Sequence, residues 1–278
     1  MSQGGTYGRN SSVPSNVAQA YVTNNGTAIP LNNILTVVGG NGLTTTATGA
    51  SNSTLVISAL NPGAFISLSD DFIGWFEPGF AYSQLTWDAS GWLPAASLAT
   101  NPGVIGSASG SNYLIMNYPA TQPYQIILGG GVVNVNWVIN LATLSNGTNR
   151  YTLNCGLSTT TDGVSAISDG VYFSYSDNVN AGNWLGVTTS SSVSSTANSG
   201  IAALSNTYVN LGLSISANAS TASFYINNVQ IANSPLSTNI PTVALSPFLG
   251  IKNSVGTAPT NACLVDLFYM TNLLTTPR

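Results

Sequence analysis

The 278 residues include no histidine. Ser-His-Asp and Cys-His nucleophiles and His-based metal sites therefore fall away together. Carboxylates are what is left for catalysis: a single glutamate, Glu77 in FEPGF, and aspartates of which Asp70 and Asp71 are adjacent. Successive side chains on a strand point to opposite faces, so Asp70 and Asp71 cannot work as a pair. The loop DNVNAG groups Asp177, Asn178 and Asn180, whose oxygens offer ligands to Ca²⁺. One carboxylate makes a weak site, and Asx-rich loops are more often turns. Beyond that Ca²⁺ option no cofactor is expected.

Binding residues can be nominated from aromatic alternation. In DGVYFSYSDNVNAGNW, Val171, Phe173 and Tyr175 fall on one face and Tyr172, Ser174 and Ser176 on the other. The first set reads as core, and Tyr172 as the ring that faces out. Trp184 should open the next strand, its indole closing the sandwich edge. In SFYINNVQI, Phe224 and Ile226 face one way and Tyr225 the other, with Asn227-Asn228 as the hairpin turn. Tyr172 and Tyr225, with Trp184 and Asn180, are the candidate ligand-binding residues, the two tyrosines on a shared exposed aromatic surface. The alternative is that both rings pack on neighbouring subunits or lie singly.

Composition narrows the partners. Charged residues are 4% of the chain, against about 25% in an average soluble protein. Nucleic-acid binding rests on cations that neutralise phosphates, and the cations here are Arg9, Arg150, Lys252 and Arg278. DNA and RNA are not expected ligands. No apolar run approaches the roughly 20 residues that cross a bilayer, so no membrane insertion is expected. The opening MSQGGTYGRNSSVPSN has no signal-peptide core, which suggests cytoplasmic synthesis and release by lysis or on a particle. Cys155 and Cys263, in strand-like segments, are either bonded or two buried thiols.

Three regions follow along the chain. Residues 1–20 are Gly/Ser/Asn-rich without hydrophobic period and read as an extended arm. Residues 21–60 hold short β-branched runs broken by NNG, GGNG and TGASNS. Such a segment is marginal alone, so it is expected to share its core with copies of itself, as a homotrimer. Residues 66–273 carry longer alternating strands between Gly/Asn/Ser turns and no comparable helical period. The fold class is all-β, an antiparallel two-sheet sandwich.

Two stretches carry a resemblance. NNGTAIPLNNILTVVGGNGLTTT…STLVIS resembles a segment recurrent in bacteriophage tail-fibre proteins and fibre-like bacterial surface proteins. The succession CGLSTTTDG, DGVYFSYSDNVNAGNW, YVNLGLSISANASTASFYINNVQIAN, NIPTVALSPFLGIKNS and ACLVDLFYMTN resembles the concanavalin-like jelly roll of phage fibre and bacterial surface proteins. The GVV-rich insertion before Trp137 and Leu-Phe-Tyr in the last strand depart from that pattern.

The resemblance implies a concanavalin-like jelly roll behind a short β-rich oligomerisation and attachment segment. It also implies that Asp266, a charge between Val265 and Leu267, is a structural aspartate hydrogen-bonded inside the sheet or at a subunit contact. Hydrolases of that fold resemble one another in an E-x-D-x-x-E strand, absent here, so the expectation is no enzyme. The expected function is a trimeric virion fibre or receptor-binding protein. Its N-terminal arm would dock on other virion proteins, and its sandwich would contact host cell-surface glycan. The alternatives are a purely structural virion protein, such as a head fibre, capsid decoration or baseplate component, and a bacterial adhesin.

Overall fold

A computed structural model of the chain describes residues 21–23, 26–28, 43–48, 54–59, 65–72, 87–95, 101, 103–116, 126–160 and 165–276. The expected arm, residues 1–20, lies outside the described residues. The chain divides into two units, Met1–Leu60 and Asn61–Arg278. In the first, β1 (Tyr21–Thr23) pairs antiparallel with β2 (Gly26–Ala28), and β3 (Leu43–Thr48) with β4 (Thr54–Ala59).

The second unit is a sandwich of two antiparallel sheets. Its strands begin with β5 (Phe65–Asp70), β6 (Trp87–Ser90), β7 (Trp92–Pro94), β8 (Ile105–Ser107), β9 (Asn112–Met116), β10 (Gly131–Asn140) and β11 (Arg150–Ser158). They continue with β12 (Gly170–Tyr175), β13 (Asn183–Ser190), β14 (Val193–Ala202), β15 (Tyr208–Ile215), β16 (Ala222–Ile226), β17 (Val229–Gln230), β18 (Ser246–Val255) and β19 (Leu264–Leu274). The eight-stranded sheet runs β17-β16-β15-β10-β19-β8-β7, with β5 also on β19. The seven-stranded sheet runs β14-β13-β12-β11-β18-β9-β6. The all-β jelly-roll expectation is met.

Strict alternation builds the core between the sheets. In β10 Val133, Val135, Trp137 and Ile139 are buried while Val132, Asn134, Asn136 and Val138 are half-buried on the outer face. β12 sends Val171, Phe173 and Tyr175 inward, as expected, and β16 sends Phe224 and Ile226. Phe173 meets Phe224 across the layers edge to face, with ring centroids 5.3 Å apart. Gly186 of β13 makes that approach possible, because a Cβ there would lie 2.6 Å from the Phe224 ring. Burying each such ring stabilises the fold by about 1.5–3 kcal/mol. Cys155 and Cys263 are both free and buried in this core, the second of the two expected outcomes.

One end of the core is an aromatic cluster. Trp137 packs on Phe268 at 4.7 Å, and Trp87 sits on Phe268 at 5.2 Å, Trp137 at 5.6 Å and Phe72 at 5.8 Å between centroids. Asp70 anchors it, accepting from Trp87 Nε1 at 2.7 Å and Phe72 N at 2.8 Å. Asp71, its neighbour, is exposed, so the two carboxylates do part to opposite sides.

Asp266 occupies a β-bulge. Val138 pairs with Leu267 and Ile139 with Val265, which leaves Asp266 as the extra residue of β19. The bulge lets Val265 and Phe268, three positions apart, both enter the core. The Asp266 carboxylate accepts from Asn101 Nδ2 at 2.8 Å.

Candidate functional site

The outer face of the eight-stranded sheet carries the arrangement best suited to hold a ligand. Register aligns Tyr225 of β16, Gly212 of β15, Asn136 of β10 and Tyr269 of β19 in one row across four strands. The adjacent row is Ser223, Ser214, Asn134 and Thr271. Tyr225 and Tyr269 are half-buried, each flanked in its own strand by core residues that fix it outward.

Gly212 leaves a gap between the ring and the amide. A Cβ at Gly212 would lie 2.8 Å from Asn136 Oδ1, so the Asn136 amide leans over the glycine toward Tyr225. Asn134 Nδ2 donates to Thr271 Oγ1 at 3.2 Å, which orients the second amide. The hairpin turn Asn227-Asn228 has both residues at positive φ (51° and 66°), the requirement of a two-residue turn. Asn227 ties the hairpin to β15: its Oδ1 accepts from Asn210 N at 2.9 Å and its N donates to Asn210 O at 2.8 Å. Asn228 and Tyr225 are thereby held at the rim.

The result is an open depression of about 320 Å³ lined by Asn134, Asn136, Gly212, Ser214, Tyr225 and Asn228, with Leu213. No lining residue carries a charge. Carboxamides present a donor and an acceptor side by side, hydroxyls do both, and a tyrosine ring adds an apolar face. Together these groups suit a ligand rich in hydroxyls around a compact ring.

The other nominated residues do not join this site. Tyr172 does lie on the outer side of its strand, but of the opposite sheet, and it is only 9% exposed. It belongs to a second apolar cluster with Ile115, Val187 and Phe248, on which Tyr113, Ile167 and Leu185 also pack. Its hydroxyl meets Thr189 Oγ1 at 3.4 Å. The expected exposed Tyr172, and a surface shared with Tyr225, are both corrected: the two rings face away from each other across the sandwich. Trp184 opens β13 as expected, but its indole is buried in the core, 5.4 Å from the Tyr175 ring, and lines a separate, mostly apolar cavity with Leu141, Tyr208 and Ile226 rather than the depression at Tyr225. Asn180 stands in the turn Asn180–Gly182 between β12 and β13, with its Nδ2 buried.

The Ca²⁺ option does not fit the DNVNAG loop. Arg150 Nη2 lies 3.0 Å from Asp177 Oδ2, Arg150 Nε donates to Oδ1 at 3.1 Å, and Ser145 Oγ donates to the same Oδ1. The guanidinium hydrogen bond is the main reason the Asp177 carboxyl is held below its usual pKa. Asn178 Oδ1 accepts from Ser176 Oγ at 3.0 Å. A cation would have to displace a positive charge already seated on the one carboxylate. Among the described residues no group of three His, Cys, Asp or Glu gathers in metal-ligand array.

Sequence reasoning named Tyr225 and missed Asn134, Asn136, Asn228 and Tyr269. The signal was present for the first two: GVVNVNWVIN places asparagine at alternate positions of a valine-rich strand, on the face opposite the core.

The sandwich is concanavalin A-like. It is similar to the crystal structure of a protein of unknown function, SO2946, from Shewanella oneidensis MR-1, with 13% identity, 77% of this chain and 89% of that chain covered, and a TM-score of 0.55. It is similar also to the Emp46p carbohydrate recognition domain in its metal-free form, with 10% identity, 76% and 96% covered, and a TM-score of 0.50. At such identities the likeness is one of fold. The expectation of no enzyme is corrected here. The fold by itself leaves enzymatic status open; an endo-1,3-beta-glucanase from Streptomyces sioyaensis is also among the chains of similar fold, with 11% identity, 78% and 99% covered, and a TM-score of 0.49. Nothing among curated proteins matches the sequence. Residues 100–267, more than half of the chain, match the family described as SO2946-like, C-terminal domain, and the chain belongs to that family.

Proposed function

We propose that this protein is a virion fibre component whose sandwich contacts host cell-surface glycan through the outer face of the eight-stranded sheet. Residues 1–20 attach it to other virion proteins, and residues 21–60 hold it as a homotrimer. The observation that carries the glycan reading is the open, uncharged depression between Tyr225 and Asn136, bordered by Asn134, Ser214 and Asn228. Compact concave sites with a few convergent polar groups are where small ligands bind. The attachment reading is supported by the resemblance carried by NNGTAIPLNNILTVVGGNGLTTT…STLVIS and by its place ahead of the sandwich.

A trimer presents three such faces, so weak single contacts add up through avidity. The full-length chain should sediment as a trimer and be retained by neutral glycans on an array, with retention lost in Tyr225→Ala. A folded protein that no glycan on the array retains would overturn the glycan reading, and a monomeric full-length chain would overturn the trimer.

A further inference from the structure

Tyr225 and Tyr269 occupy the same cross-strand row, yet only Tyr225 lines the depression. β15 and β10 lie between them, so the two rings are three strand spacings apart, about 14 Å. Between them stand a glycine and an asparagine, Gly212 and Asn136, which keep the row low where it is flanked by rings. One sugar placed against Tyr225 leaves Tyr269 untouched. A ligand that engages both rings must be extended and must run across the strands rather than along them.

Charge fixes the rest of its chemistry. Apart from Gly212 and Leu213 the lining is amide, hydroxyl and phenol, with no cation to pair an acidic sugar. Along β19 the nearest charge is the Asp266 carboxylate, at the bulge beside Leu267 and three positions from Tyr269. An anionic glycan would meet repulsion there and no compensating partner.

Resting on the glycan reading above, we infer that the site takes a neutral oligosaccharide lying across β16, β15, β10 and β19, with one ring unit on Tyr225 and a second, separate subsite at Tyr269. Asn136, between the rings, hydrogen-bonds the intervening unit. Serine continues the row on the far side, at Ser69 of β5, and extends the polar track past Tyr269.

Affinity of the full-length protein is measured by calorimetry against gluco-, manno- and galacto-oligomers of increasing length, beginning with the monosaccharide, and against the matching uronic acid oligomers. The expected result is affinity that rises with length in one neutral series, and no binding of its acidic counterpart. Tyr225→Ala should weaken every member, and Tyr269→Ala should remove the gain on lengthening, each by about five- to tenfold. Tyr269→Phe, which keeps the ring, should restore the gain and serves as the control for folding. Binding that is independent of length, insensitive to Tyr269→Ala or stronger for the acidic series overturns this inference while leaving a glycan site at Tyr225. No binding by any member overturns the glycan reading itself.

Discussion

The rings of Tyr172 and Phe248 meet edge to face with centroids 6.0 Å apart, although they stand on β12 and β18, which do not pair with each other. Gly156 of β11 lies between them, paired with Tyr172 on one side and Phe248 on the other. The contact closes over the missing side chain. It explains why the outer face of the seven-stranded sheet is sealed at its centre by apolar groups while the outer face of the other sheet keeps an open polar depression.

Substituting Gly156 tests that closure. A Cβ there would lie 2.4 Å from the Val171 carbonyl oxygen and 2.6 Å from Tyr172 Cα, both backbone atoms that cannot step aside. Gly156→Ala is expected to destabilise the sandwich by about 1–3 kcal/mol, read as a lower urea midpoint. An unchanged midpoint would contradict the packing described.

Gly212→Ala should behave oppositely. The atom in the way is Asn136 Oδ1 at 2.8 Å, the end of a flexible side chain that can swing off. The unfolding midpoint should stay close to wild type while glycan retention falls, because the amide is displaced from the depression. Retained binding would remove Asn136 from the site.

Asp177 gives the sandwich an acid-sensitive contact. Its carboxyl is held below the usual value chiefly by the Arg150 hydrogen bond, with Ser145 adding to it. The stabilisation is therefore complete above the unfolded carboxylate pKa, about 3.9, and is lost as pH falls through the lower folded value. Asp177→Asn should lower the urea midpoint at neutral pH, and the gap to wild type should close on acidification below that range. A gap that is constant down to strongly acid pH would contradict the ion pair.

Both thiols should be inert in the native state. Burial pushes the Cys155 and Cys263 pKa values well up, and the thiolate is the reactive form. No labelling by an aromatic disulfide reagent is expected at pH 8 until denaturant is added, when both should react. Fast native labelling, or a disulfide on a non-reducing gel, would contradict the buried free pair.

Local pattern carried much of the fold into view. Period-2 alternation in VYFSY and SFYIN assigned the faces of β12 and β16 correctly, and Asn227-Asn228 marked the hairpin. Alternation states which face a residue takes, but not what lies on that face. Tyr172 and Tyr225 look alike in sequence, each an outward ring between core residues, and they differ because Tyr172 has Gly156 and Phe248 as lateral neighbours, far along the chain. Asp177 looked like a free ligand for the same reason, since Arg150, 27 residues away, is brought to it only by the folded sheet. The bulge at Asp266 was likewise invisible to a pattern that counts by twos.

The most direct test of the central claim is to map the bound oligosaccharide by solution NMR on the isotopically labelled protein. The account predicts that shifts concentrate on the side-chain amides of Asn134, Asn136 and Asn228 and on the rings of Tyr225 and Tyr269, with Tyr172 and Trp184 unmoved. Shifts clustered instead on Tyr172, Val187 and the 177–182 loop would place the ligand on the other sheet and contradict it.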